Sequence, residues 1–271
     1  MTNYSNESIP ALYKHIYATT YSFCENYIGS SHNLFNKLWG YFQNLIKTSL
    51  FTDLLSASNF GAYQLNINEY LLLQLTHALQ INNIDFTPKI SGDISAISSE
   101  ILNGHRVVIA SLHNGFLDGM KILSSSLPSN TIYCTIGVEP YISMASTKSK
   151  FSGNLHKISL DKYCLVNAKK ALDNREVFFL AVDFSNEEEN LFQFLDPSIF
   201  KFSALNQASL FFLKSIVKND GSIEVSFQQQ QTNLTSEQSC KDFLTFMHEN
   251  NNFKRKLEIK KSSYNYSEHS D

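Results

Sequence analysis

The sequence withholds most of the usual signals, and each absence removes a class of protein. Its 271 residues carry four cysteines, Cys24, Cys134, Cys164 and Cys240, far apart and in no CxxC or Cys/His ligand spacing. That arrangement argues against a structural zinc site and fits a reducing compartment. No run of 18 or more apolar residues occurs, so no membrane-spanning helix is expected. The first residues, MTNYSNESIPALYKH, lack the charged start and apolar core of a secretion signal. The expected location is the cytoplasm, with a peripheral position at the inner face of a membrane left open. Charge is sparse: 17% of residues are charged, the net charge is −3, and arginine occurs only at 106, 175 and 255. Such a balance offers no basic footprint for nucleic acid.

What the chain has instead is apolar material. Hydrophobic residues make up 43%, enough for a sizeable core in one large domain or two small ones. There are 21 Phe and 13 Tyr. That surplus fits a phenylalanine-rich core, and it also fits a protein that handles apolar ligands.

Periodicity organises the chain. Residues 8–28 read as a loose helix. Over 33–51, Leu34, Phe35, Leu38, Trp39, Phe42, Leu45, Ile46 and Leu50 recur at helical spacing. This helix is expected to dock on a core or to lie in a lipid interface with Trp and Phe facing down. A third helix is expected over 67–81, with His77 partly exposed. From about residue 100 strands and helices alternate: strand 106–112, helix 115–125 stopped by Pro128, strand 130–137, a short helix near 140–147, strand 155–159, helix 162–173, strand 177–182 and helix 203–211. A hairpin, 212–218 with 222–228, turns at Asn219-Asp220-Gly221, a strong turn signal. A helix at about 235–248 follows.

Alternation of this kind predicts an α/β fold. The expected architecture is a mostly parallel central sheet flanked by helices, with an N-terminal helical segment and an antiparallel hairpin near the C-terminus. The expected division is a helical segment at 1–95 packed on the core, the α/β core at 96–249, and a polar tail at 250–271 that frays.

The candidate chemistry lies in Arg106–Leu123, RVVIASLHNGFLDGMKIL. An apolar strand is cut off by His113, and Asp118 follows inside the first turns of a helix. A histidine at a strand end, with a carboxylate to orient it, is the arrangement of a general base. Asn114 and Gly115 make a tight strand-to-helix junction whose backbone N–H groups can hold an anion or an oxyanion. Asp183 also follows directly on a strand, and ligand groups gather beyond the carboxyl ends of parallel strands. The same His-x4-Asp spacing recurs at His156 and Asp161, where Asp161 reads as an ordinary helix N-cap. Ser111 shares a strand face with His113, which keeps a serine nucleophile in view, although no G-x-S-x-G elbow occurs.

The block 105–125 resembles the HX4D/E motif of the glycerolipid acyltransferase superfamily, and is most similar to the branch of late acyltransferases of bacterial lipid A synthesis. The segment 172–214 is similar to a later region of that branch: an apolar strand, an aspartate, a Phe-rich loop and a helix of small residues. The resemblance spans roughly residues 100–230. It implies an acyltransferase that takes a fatty acyl group from an acyl-carrier-protein or coenzyme A thioester and passes it to a hydroxyl or amine. It implies His113 as general base, Asp118 as its partner, and Asn114, Gly115 and Asp183 as oxyanion or substrate contacts. No bound metal or cofactor is implied, only the thioester as co-substrate. The sequence departs from the pattern in four places, the first being that no counterpart of that branch's membrane-anchoring N-terminal helix is expected here. The strand TIYCTIGVEPY has no Arg or Lys for a phosphate before Lys148, Ala181-Val182 stands where a proline precedes the acidic residue, and SIVKNDG replaces a proline-containing strand. These departures leave a catalytically inactive relative, binding lipid or acting as a scaffold, as the alternative.

Overall fold

A computed structural model of the protein describes residues 11–25, 27–56, 67–127, 132–136, 155–159, 163–185, 192–195, 197–231, 234–248 and 256–259. The described chain divides into two compact units. One comprises Met1–Ser91 with Ile216–Glu224, and the other Gly92–Ser215 with Val225–Asn250 and the last strand, each as far as it is described.

The first unit is helical: α1 (Ala11–Glu25), α2 (Ser31–Leu45), α3 (Ser49–Ser56) and α4 (Ile67–Ile81). Ser30 caps α2 by accepting from the Asn33 N–H, which satisfies one orphan donor of the first turn. The apolar stripe of α2 is buried, with Leu34, Leu38 and Phe42 wholly covered and Trp39 nearly so. That face looks into the protein interior. The stretch expected as one helix over 33–51 is two helices, because Thr48 both ends the first and starts the second. Its hydroxyl donates to the Leu45 carbonyl at 2.7 Å and accepts from the Phe51 N–H. In the same unit, α1 packs on α4, and the Tyr17 hydroxyl bonds the exposed His77 at Nδ1. Burial pushes the Tyr17 hydroxyl's pKa far up, with Tyr13 adding to the shift. The hairpin tip also belongs here. Gly221 adopts φ +79°, its N–H bonds the Lys218 carbonyl at 3.0 Å, and the Trp39 indole N–H donates to the Asn219 carbonyl at 2.7 Å.

The second unit holds the greater part of a seven-stranded sheet. Its strands are β1 (Ile90–Gly92), β2 (Val107–Ser111), β3 (Ile132–Ile136), β4 (Leu155–Ser159), β5 (Val177–Ala181), β8 (Ser209–Val217) and β9 (Ile223–Gln229), in the spatial order β1-β9-β8-β2-β5-β3-β4. Strand β2 is central and parallel to both neighbours, pairing Ser111 with Ala181 of β5 and with Leu213 of β8. The β3 strand is parallel to β4 and β5. Strands β8 and β9 form the expected hairpin, with residue 218 bonded to 222 and residue 230 to 210. A second sheet of three strands orders β10 (Lys256–Ile259), β7 (Phe192–Leu195) and β6 (Asp183–Ser185). The α/β class, the mostly parallel sheet and the hairpin are therefore as the sequence predicts.

Helices α5 (Ser95–Leu102), α6 (His113–Ser126), α7 (Cys164–Asp173), α8 (Ser198–Leu205) and α9 (Ser236–His248) belong to this unit. Strand β2 is buried at every position, as expected for a central parallel strand covered on both faces. On one face, the aromatic rings of Phe200 (α8), Phe212 (β8), Phe243 and Phe246 (α9) pack at centroid distances of 5.2–6.2 Å. On the other face lies α6. Its Gly119 sits where an added Cβ would stand 2.4 Å from Leu213 Cδ1 and 3.1 Å from Phe179 Cζ. Only hydrogen at that position permits so close an approach of helix to sheet.

Several elements differ from expectation. The helix expected at 203–211 is α8 at 198–205, with Pro197 at its N-cap. It ends where Gln207 takes φ +50°, and residues from Ser209 onward are strand. Leu210, Phe211, Phe212 and Leu213 are all buried, and an apolar run covered on two sides has no amphipathic period to tell helix from strand. Strand β10 runs parallel to β7, with Lys256 opposite Phe192, inside the stretch expected as a frayed tail. The expected stop at Pro128, the helix near 140–147 and the remainder of 250–271 lie outside the described residues.

Candidate active site

The register fixes where the candidate residues stand. Ser111 and Ala181 are paired at the carboxyl ends of β2 and β5, and the Val182 N–H donates to the Ser111 carbonyl at 2.9 Å. His113 and Asp183 therefore begin α6 and β6 two positions past paired residues of neighbouring strands. On the other side of β2, Leu213 pairs with Ser111. Strand β8 continues to Val217, so Ser215 stands level with His113. Three parallel strands deliver these positions to one edge of the sheet.

Helix α6 starts at His113 with Leu112 as its N-cap, extended at φ −90° and ψ 159°, and the apolar Leu112 side chain offers no cap hydrogen bond. The first N–H groups of a helix lack intrahelical partners, and an apolar N-cap leaves them unpaid by side-chain oxygen. Asn114 and Gly115 fall in that first turn. The side chains of His113, Asn114 and Asp183 lie outside the described residues, as do both residues of the second pair, His156 as a side chain and Asp161 entirely.

Asp118 is described, and its surroundings are informative. Its carboxylate accepts from the Ser215 hydroxyl and is drawn by Lys121 one turn on, while burial raises its pKa more than these two lower it. Five residues of α-helix turn the chain by 500°, so positions 113 and 118 stand about 140° apart around the α6 axis. Asp118 meets a hydroxyl of β8 that sequence spacing does not point to. The signal was present: Lys214-Ser215 interrupts the apolar strand SLFFLKSIV with two polar residues, and both are buried. Lys214 points to the opposite face, where its ammonium donates to the Phe246 carbonyl at 2.8 Å and lies 4.2 Å from the centre of the Phe246 ring. It serves there as a cation at the C-terminal end of α9.

Ser111 is fully buried, and its hydroxyl donates to the Leu112 carbonyl at 3.2 Å. That removes the exposure a serine nucleophile needs. The amino ends of the same strands carry a separate polar cluster. Glu100 accepts from Ser209 and pairs with His105 Nδ1 at 2.9 Å, and the Ser209 hydroxyl leads the groups that lower its pKa. Arg106 bridges Asp173 at 2.8 Å and the Asn206 carbonyl at 2.9 Å. Among the described residues no group of three or more His, Cys, Asp or Glu is arranged to hold a metal, and no helix is long and apolar enough to cross a membrane. No protein-family model matches this sequence, and no curated protein matches it.

Proposed function

We propose that this protein is an acyltransferase that moves a fatty acyl group from an acyl-carrier-protein or coenzyme A thioester to a hydroxyl or amine acceptor. The observation that carries the reading is the start of α6 at His113 behind an apolar N-cap, at the carboxyl end of the central strand, with Asp183 two positions past the end pair of β5 and Ser215 level with His113 on β8. In this reading His113 takes the acceptor proton as the acceptor oxygen or nitrogen attacks the thioester carbonyl. The first-turn N–H groups at Asn114 and Gly115 receive the oxyanion. Collapse of the tetrahedral intermediate expels the thiolate, which takes the proton back from the imidazolium. Asp118 stabilises that imidazolium as it forms, the part an acidic partner plays in a triad. Asp183 positions the acceptor.

The test is turnover of acyl-CoA and acyl-carrier-protein thioesters by purified protein, with water, alcohols and amines as acceptors. His113→Ala should reduce the rate on the order of 100-fold or more, and an undiminished rate would sink the assignment. The second reading is a non-catalytic relative that holds an acyl chain or lipid. The engagement of Asp118 by Ser215 favours it, since that bond takes up part of the carboxylate expected to serve the imidazole. Lipid that co-purifies with the protein, seen by native mass spectrometry, without any thioester turnover would decide for it.

A further inference from the structure

We infer that Ser215 is a positioning residue of this site: by donating to the Asp118 carboxylate from strand β8, it fixes where the acidic group of α6 sits relative to His113. The inference rests on the acyl-transfer reading for its consequence in catalysis; the bond itself rests on the Ser215 hydroxyl that Asp118 meets and on the packing of α6 against β8. Three observations support it. Ser215 is buried, so its hydroxyl is held by the strand instead of sampling solvent. It stands two positions beyond Leu213, the partner of Ser111, which places it level with the first residue of α6. The close approach of Gly119 to Leu213 clamps α6 onto β8 beside Asp118, so the pair meets because helix and strand are already in contact.

A carboxylate accepts on two oxygens. The serine satisfies part of that capacity, and the acyl-transfer reading assigns the remainder to the imidazole. Among the described residues the charged group beside Asp118 is Lys121 on its own helix, while Lys214 on β8 faces the other side of the sheet. Lys121 and the Ser215 hydroxyl both favour the ionised carboxylate. Losing the serine hydroxyl therefore makes Asp118 harder to ionise.

The experiment follows the carbon-13 resonance of the Asp118 carboxyl in the full-length protein labelled at aspartate, identified by its loss in Asp118→Asn. Ser215→Ala should move the titration midpoint upward by roughly one pH unit, the size of one charge-assisted hydrogen bond. Ser215→Thr should restore it, and Ser215→Cys, which keeps the volume with a weak donor, should fall between. The acidic limb of the thioester-turnover profile should shift with the midpoint. An Asp118 midpoint unmoved in both Ser215→Ala and Ser215→Cys overturns the inference, whatever His113→Ala does. A moved midpoint with turnover indifferent to His113→Ala keeps the bond and sinks the acyl-transfer reading instead.

Discussion

Gly119 and Leu213 define how closely α6 lies on the sheet: a methyl group on the Gly119 Cα would stand 2.4 Å from Leu213 Cδ1. Gly119→Ala must push the helix away or force Leu213 and Phe179 into strained rotamers. The expected cost is about 1–3 kcal/mol, the range for overpacking a filled core, read as a lower urea midpoint. An unchanged midpoint would mean that the helix is free to shift.

Burial raises the pKa of the Asp118 carboxyl above its ordinary value of 3.8. The fold then binds that proton more tightly than the unfolded chain does. Its contribution to stability is complete below the ordinary value and is lost as pH rises through the raised one. Asp118→Asn should match the parent protein near pH 3 and exceed it at pH 7. Urea unfolding at both pH values checks the sign, and a variant that is less stable at pH 7 would contradict it.

Glu100 runs in the opposite sense. The Ser209 hydroxyl and His105 lower its pKa below the ordinary 4.5, so its contribution is present above that value and lost as pH falls through the lowered one. Ser209→Ala should therefore be less stable than the parent at pH 7, with the gap closing in acid. Parallel thermal unfolding at pH 7 and pH 3 reads the difference, and a gap that widens in acid would contradict the assignment.

The turn at Gly221 depends on a conformation that side chains resist. With φ at +79°, Gly221→Ala should cost about 1–2 kcal/mol from the backbone alone, and the added methyl would meet Phe35 Cε1 at 2.7 Å. Trp39 is the sole tryptophan and bonds the same turn through Asn219. Its fluorescence should report the earlier unfolding directly, and an unshifted transition would show that the turn accepts a side chain.

Legibility followed local physics. The helix at 67–81 and the strand at 155–159 have the expected bounds, and the helix carries its own apolar period. The Asn219-Asp220-Gly221 turn was equally readable, because Asp220 bonds the Ser222 N–H at 2.9 Å and glycine supplies the positive φ. Ambiguity entered where burial is two-sided. From Leu210 to Leu213 every position is apolar for packing reasons, so helix and strand read alike, and the strand expected from 212 begins at Ser209, inside the stretch expected as helix. Short pieces such as β1, β6 and β7 carry too few residues for any period to show.

The sequence by itself determined the alternation of strand and helix, the hairpin turn, and the placing of a histidine and an aspartate directly after two apolar strands. Those features are written in neighbouring residues. Tertiary structure alone decided that the two strands are adjacent and paired in register, that the α2 stripe is buried, and that Asp118 meets Ser215. Ninety-seven positions separate that serine from its acid, and no local rule links them. They meet because β8 inserts beside β2 and a glycine lets α6 settle onto both.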